Sequence, residues 1–541
     1  MEYDAVVVGA GMAGLTAAAY LCKAGKSVAL LEKRGKTGGL VDSFERNGFT
    51  FDGGIRAVEN SGIVFPMLRQ LGVELEFLQS PVSIGFGDDV LRLSPEAGLD
   101  EYRALLRRRF PGIVSEVDAI VDEVARVMDY MAVLYGIDNP LFLDLKDDPG
   151  YVLKVILPWM LKYMTTMPKV ARLRMPVDER LAALTGSREL ADMIGQHFFK
   201  KTPAYFALSY FSLYLDYRYP RGGTGRLPEA LESYIRDRGG SVMTGVEVAG
   251  LDAARRVVTD ASGSEYGYRR LVWAADSRLL YRLALGSPLA DRGVARRVEA
   301  KAAELASARG GDSIFTLYVA ADLPPVFFSS VSSAHFFYTP RGEGLSSLGP
   351  WPLEAKNEVD VAQDDVAAGE DPDKEALLAW LGDYLERTTY EISIPVLRDP
   401  TLAPEGKAGL IVSTLMDYDL AKRAEERRWY DEYKEFCSAR IVDILDRGAY
   451  PGLRASVIER TASTPVTIRR ETGNTDGAIT GWAFTNPTMP AVNDLPKVTR
   501  SIRTPIPGVY QAGQWTFSPS GLPISILTGK LAADAVVKDL R

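Results

Sequence analysis

The sequence predicts an α/β protein whose parallel-sheet domain is split along the chain and interrupted by an inserted α+β domain. Three observations predict it. Residues 3–8 form an apolar run entering Gly9-Ala10-Gly11-Met12-Ala13-Gly14; a helical pattern follows to residue 24, then a second apolar run over 27–31 ending in Glu32. Far downstream, a helical stretch over 227–238 stops at Gly239-Gly240, a strand follows over 241–248, and another over 270–275 leads to Asp276. Near the end, 508–513 reads as a short strand and Gly521-Leu522-Pro523 starts a closing helix. Strand, glycine turn, helix, strand and terminal acid, in that order, form the context of a Rossmann-type dinucleotide-binding unit.

Each element has a physical reason. Gly9 permits the tight turn, Gly11 lets backbone approach a pyrophosphate, and Gly14 lets the helix pack closely on the strand. Amide groups at the helix start face the phosphates, and Glu32 is placed to accept bonds from both hydroxyls of an adenosine ribose. The motif then extends through Lys33 to Gly38-Gly39, and Phe51-Asp52-Gly53-Gly54 offers a second stretch where backbone can approach a flat ring. A nicotinamide domain needs neither. Pro523 suits the first turn of a helix, and such a helix start stabilises negative charge on a reduced flavin. FAD is the expected cofactor.

At 541 residues, with 46% hydrophobic and 25% charged residues, the chain is expected to form two or more domains. A net charge of −8 argues against a nucleic-acid partner. Cys22 and Cys437 are the two cysteines, too few for a disulfide framework, so a reducing cytoplasm is expected. The first strand starts at Tyr3, so no signal peptide is expected, and no apolar run is long enough to span a bilayer. His197 and His335 are the only histidines, which removes most metal sites and Ser-His-Asp chemistry. Both are read as structural, no metal is expected, and the cofactor must carry the chemistry.

The expected FAD-binding domain comprises residues 1–90, 222–286 and 495–541; a substrate domain of mixed sheet and helical lid takes 91–221 and 287–494. Helical spacing over 101–135 aligns Leu105, Leu106, Val114, Val117, Val121, Val124 and Met128. Residues 149–177 contain no acid and five bases, among Trp159, Met160, Tyr163, Met164 and Met167, and Pro158 and Pro168 are expected to break them into short helices. Two compatible readings stay open: a lid on the substrate cavity, and a segment lying in an anionic membrane interface. Strands are expected over 314–320, 334–338, 390–397 and 409–415. Between them, residues 354–375 hold nine acids and two bases, a solvated excursion.

These passages resemble the phytoene desaturase group of FAD-dependent oxidoreductases, which includes carotenoid isomerases and retinol saturases and lies within the amine-oxidase-like flavoproteins. Five passages carry the resemblance: the glycine motif through Gly39, residues 48–54, Tyr219-Pro220-Arg221-Gly222-Gly223, residues 399–406, and 504 to the final helix. The loop 399–406 shifts the reading towards polyene and isoprenoid chemistry. The resemblance implies FAD contacts at Gly9, Gly11, Met12, Ala13, Gly14, Glu32, Lys33, Gly38, Gly39, Gly54, Val248, Gly513, Leu522, Pro523 and Ile524. Position 40 is Leu where many relatives carry a pyrophosphate-pairing arginine; Lys33, Arg34, Arg56 or the helix dipole is expected to replace that charge.

A flavin acting on a carbon chain needs an apolar slot that holds one allylic C–H bond in place. The expected substrate is a long apolar isoprenoid or polyene, carotenoid- or retinoid-like, undergoing desaturation, saturation or cis–trans isomerisation. Arg56 and Trp482 are the catalytic candidates. Two other classes stay open: an amine-oxidase-type flavin oxidase of a small substrate, and a non-catalytic prenyl-lipid carrier on the same fold, as the Rab escort proteins are.

Overall fold

The computed structural model describes residues 2–144, 149–289, 291–349, 352 and 371–541. Its first sheet is built around Glu2–Val8, which pairs in parallel with Val28–Glu32 on one side and Glu265–Trp273 on the other. Ser241–Thr244 extends the sheet beyond Val28–Glu32, and Val509–Gln511 pairs in parallel with Glu265–Trp273. Strands from the start, middle and end of the chain thus share one layer, as the split pattern predicts. Val28–Glu32 is buried along its whole length, which suits a parallel strand covered on both faces. The helices Met12–Lys23 and Leu522–Asp539 pack together on this sheet. A Cβ at Gly529 would come 2.3 Å from the Ala13 carbonyl oxygen, so glycine sets how closely they cross.

The second sheet runs in the order Val457–Ser463, Ser313–Ala321, Ala408–Met416, Tyr390–Ser393, His335–Thr339, Val82–Phe86, Asp89–Arg92. One face carries Phe315, Leu317, Phe336, Tyr390, Ile392 and Leu410 into a core shared with the helices Lys374–Arg387 and Tyr430–Arg447. The other face turns towards the first domain.

Several boundaries differ from the sequence reading. Val82–Phe86 pairs with His335–Thr339, so the boundary expected at residue 90 falls inside the second sheet. The strand expected over 241–248 turns at Gly245, which takes φ +73° and donates its N–H to the Arg34 carbonyl before Val248–Asp252 begins. The strand expected over 390–397 ends at Ser393, because Pro395 opens a 3-10 turn. Helix 101–135 is two helices, Gly98–Arg109 and Val114–Tyr135, separated at Pro111. Conversely, 149–171 does not break. Pro149–Tyr151 continues through a π-helical turn, Val152–Ile156, into Leu157–Ala171. Pro158 stands in the first turn of that last piece, and the wider π turn accommodates it. The acidic excursion lies outside the described residues up to 370. At its described end Asp371 is buried, accepting bonds from Arg423 and the Trp429 indole, whereas Glu375 is exposed.

Candidate active site

One cavity of about 1020 Å³ is lined by the glycine loop and by the inner face of the second sheet. Its cofactor end is made by absent side chains. Gly9 takes φ +93°, and a Cβ there would lie 3.0 Å from the Ala274 carbonyl oxygen; at Gly14 it would lie 1.9 Å from the Gly9 oxygen. Beside Gly11, in contrast, nothing lies within 4 Å of such a Cβ. Gly11 therefore borders open space, while Gly14 serves packing behind the wall. No side chain caps the helix that starts at Met12, and Met12 and Ala13 face the cavity. An uncapped helix start beside open backbone fits a pyrophosphate.

Gly38 and Gly39 follow at φ +112° and +63°, with the Gly38 N–H on the Ala10 carbonyl at 2.8 Å. At Gly54 a Cβ would strike the Leu40 oxygen at 1.9 Å. Val248, Gly513 and Leu522 complete the wall, and the Gly513 N–H bonds Thr528 Oγ1 at 2.9 Å. Pro523 is buried in the first turn of the closing helix, and Ile524 packs against the first-domain core; neither is on the wall. These residues fit FAD, which supplies the redox chemistry when bound.

Glu32 does more than expected. Its Oε2 accepts the Ala10 N–H at 2.7 Å and its Oε1 the Arg34 N–H at 2.9 Å, so the carboxylate braces the glycine loop and keeps lone pairs for a ribose. Each of the three cations expected to replace an arginine at position 40 already has a partner. Lys33 Nζ bonds the Arg470 carbonyl at 3.0 Å, Arg34 pairs with Asp42 at 3.1 Å, and Arg56 pairs with Glu391 at 2.9 Å. The helix start remains for the phosphates.

The substrate end follows from sheet register. Ser463 pairs opposite Thr316, Thr316 opposite Ser413, and Ser413 opposite Glu391, which sets a polar row on the cavity face. Arg56 reaches this row from the first domain, bonding Glu391 and Ser413 Oγ. His335 Nε2 lies 3.0 Å from Glu391 Oε1, within ion-pair distance but off the line of a hydrogen bond. Burial pushes the Glu391 carboxyl up, but the Arg56 guanidinium outweighs it and holds the group down at about 2. Its side chain is 36% exposed, and that exposure faces the cavity. Burial pushes His197 down to about 4 and lowers His335 too, so both rings are neutral at neutral pH. Phe199, Phe206, Tyr210, Tyr217, Ile314 and Tyr318 add an apolar, largely aromatic part of the wall.

Arg56 lies on the wall. Trp482 does not: it is buried behind Trp515, donating its indole N–H to the Trp515 carbonyl at 3.1 Å, and supports the wall without touching the cavity. The loop 399–406 is also off the wall. Asp399 accepts the Gly222 N–H at 2.9 Å and Pro404 packs beside Gly48, so the loop clasps two other family motifs together. Asp52 is the companion hub, holding Ser43, Thr224 and the Tyr219 hydroxyl. None of the described residues of 149–177 is among those lining this cavity. Sequence reasoning missed Glu391, His335 and Glu59. The signal for Glu391 was an acid alternating with Tyr390 and Ile392, which reads as a solvent face unless a second domain covers it.

Fold and cofactor end together define a flavin-dependent oxidoreductase. Residues 12–341, more than half of the chain, match the flavin containing amine oxidoreductase family, and the chain belongs to it. Its sequence is 24% identical over 564 residues to the prolycopene isomerase of Daucus carota, a match covering 100% of this chain and 80% of that protein. It is 28% identical over 285 residues to the all-trans-retinol 13,14-reductase of Homo sapiens, covering 49% and 44%. Among solved structures, putrescine oxidase bound to putrescine aligns with TM-score 0.60 at 15% identity, covering 99% of each chain. Cyclohexylamine oxidase from Brevibacterium oxydans aligns at 0.59 and 14%, covering 100% of each. At these identities the structural likenesses show the fold.

Proposed function

We propose that the protein acts on a long apolar isoprenoid or polyene by hydride exchange with its flavin, giving desaturation, saturation or cis–trans isomerisation. The observation that carries the reading is the likeness to prolycopene isomerase along the whole chain, to which the aromatic wall adds a surface for a conjugated chain. The chain's own residues hold the substrate against that wall, exclude water and place charges around it. Anaerobic incubation with prolycopene or all-trans-retinol, with FAD oxidised or pre-reduced, tests it by product mass. Loss of hydrogen marks a desaturase, gain a saturase, and unchanged mass with altered retention an isomerase. No conversion under either condition contradicts the proposal.

Access from a lipid surface belongs to the same reading. The helix over 149–171 buries Ile156 and Val170 but exposes Leu153 (65%), Leu161 (69%) and Met164 (66%) beside Lys154 and Lys162. An outward apolar stripe with flanking cations suits an anionic membrane interface. No helix among the described residues is long and apolar enough to cross a membrane. Flotation with anionic liposomes is expected to weaken with salt and on neutralising Lys154, Lys162 and Lys169; unchanged flotation rejects the contact.

A second reading draws on the flavin containing amine oxidoreductase family to which the chain belongs: oxidation of a small amine. Hydrogen peroxide release from an amine panel in air separates the two.

A further inference from the structure

Most carboxyls on the cavity wall are already committed. Glu32 braces the glycine loop, Asp276 accepts the Arg278 and Thr475 amides at 2.7 Å each, and Asp476 accepts the Gly310 amide at 2.8 Å. Glu247 is exposed beside Val248 at the cofactor end, and Glu391 is paired with Arg56. Glu59 differs. It follows Val58, whose backbone is fixed to Arg218 by reciprocal bonds of 2.8 and 3.0 Å, so the segment is held firmly on the wall. Among the described residues, no other residue bonds or ion-pairs with its carboxyl.

The groups around Glu59 come from three other segments: Tyr135, Tyr210, and Asp216 with Tyr217. Glu59, Tyr210, Tyr217 and Glu391 all line the one cavity, which places the two carboxyls on a shared wall. Burial pushes Glu59 up to about 7; its own amide opposes the rise and Asp216 adds to it. Burial also raises the three tyrosines, so their hydroxyls stay protonated. Two acids in one cavity are thus driven apart, Glu391 ionised and Glu59 balanced near neutrality, the pattern of a division between charge placement and proton transfer.

We propose that Glu59 is the proton donor and acceptor of this cavity, exchanging a proton with a carbon of the bound polyene. The proposal rests on the polyene reading above. In the donating direction the Glu59 O–H bond breaks, the π electron pair of one C=C forms the new C–H bond, and the positive charge left behind spreads along the conjugated chain. In the accepting direction that C–H bond breaks, its electron pair restores the π bond, and Glu59 Oε takes the proton.

The test compares three FAD-loaded proteins, the wild type and the two variants Glu59→Gln and Glu59→Asp, each checked for flavin content and thermal unfolding. Infrared titration without substrate is expected to show one protonated-carboxyl band fading with a midpoint at about 7, absent in Glu59→Gln and present in Glu59→Asp. In D2O, deuterium uptake into prolycopene or all-trans-retinol is expected to fall about 10²-fold or more in Glu59→Gln and to recover in Glu59→Asp. A band that persists in Glu59→Gln, or equal uptake in wild type and Glu59→Gln, overturns the proposal. Should the wild type convert neither probe, the polyene reading fails, and the titration alone then decides whether Glu59 holds the proton.

Discussion

The cofactor end of the cavity is made largely by leaving side chains out, whereas the substrate end is made by charged and aromatic side chains brought together from distant segments. At the first, the decisive contacts are backbone to backbone: Gly14 against Gly9, Gly54 against Leu40, Gly38 on Ala10. At the second, strand register brings Glu391 and Thr316 into one polar row, and Arg56 crosses from the other domain to neutralise it. A glycine requirement is local and has few substitutes. A charge balance is collective, and each member's state depends on the others.

The sharpest way to break this contrast is to remove Arg56. Arg56→Ala leaves Glu391 without its main counter-charge; because that carboxylate is 36% exposed to the cavity and partly screened by solvent, the expected cost by denaturant unfolding is about 1–3 kcal/mol. The same pair gives a pH signature. Because Glu391 is held at about 2 instead of the usual 4.5, its contribution is fully present above 4.5 and is lost as pH falls towards 2. Acid unfolding of Glu391→Gln should lack that component.

At the cofactor end, Gly14→Ala forces a methyl into the Gly9 carbonyl and is expected to cost about 1–3 kcal/mol, with flavin lost as a consequence. Trp482→Phe comes next, costing about 1 kcal/mol for the indole hydrogen bond, with KM unchanged because the ring does not touch the cavity. Gly11→Ala should affect stability least, since its φ of −69° suits any residue and its Cβ meets open space. FAD affinity in that variant should nevertheless fall about tenfold, roughly 1.4 kcal/mol, by calorimetric titration of the apoprotein. Equal losses of stability in Gly11→Ala and Gly14→Ala would erase the distinction between cofactor-facing and packing glycines.

The same contrast explains what was legible in the sequence. The glycine turns, Glu32 and the return of strands at 241 and 509 could be read because each is a local pattern with a local cause. Glu391 and His335 could not, because their role appears only when strand register and the opposing domain are known. Pro158 and Pro168 misled for a related reason: a proline reads as a break, yet Pro158 follows directly on a π turn and Pro168 sits in the last turn of a continuous helix. The segment 149–177 was read correctly as basic and apolar, yet only the packing shows that its apolar stripe faces outward.

The most direct test of the central reading is anaerobic titration of the FAD-loaded protein with prolycopene and, separately, with putrescine, following the flavin absorbance. A polyene-acting flavoprotein predicts saturable perturbation or bleaching by prolycopene and none by putrescine. Bleaching by putrescine alone, with no response to prolycopene, would contradict it.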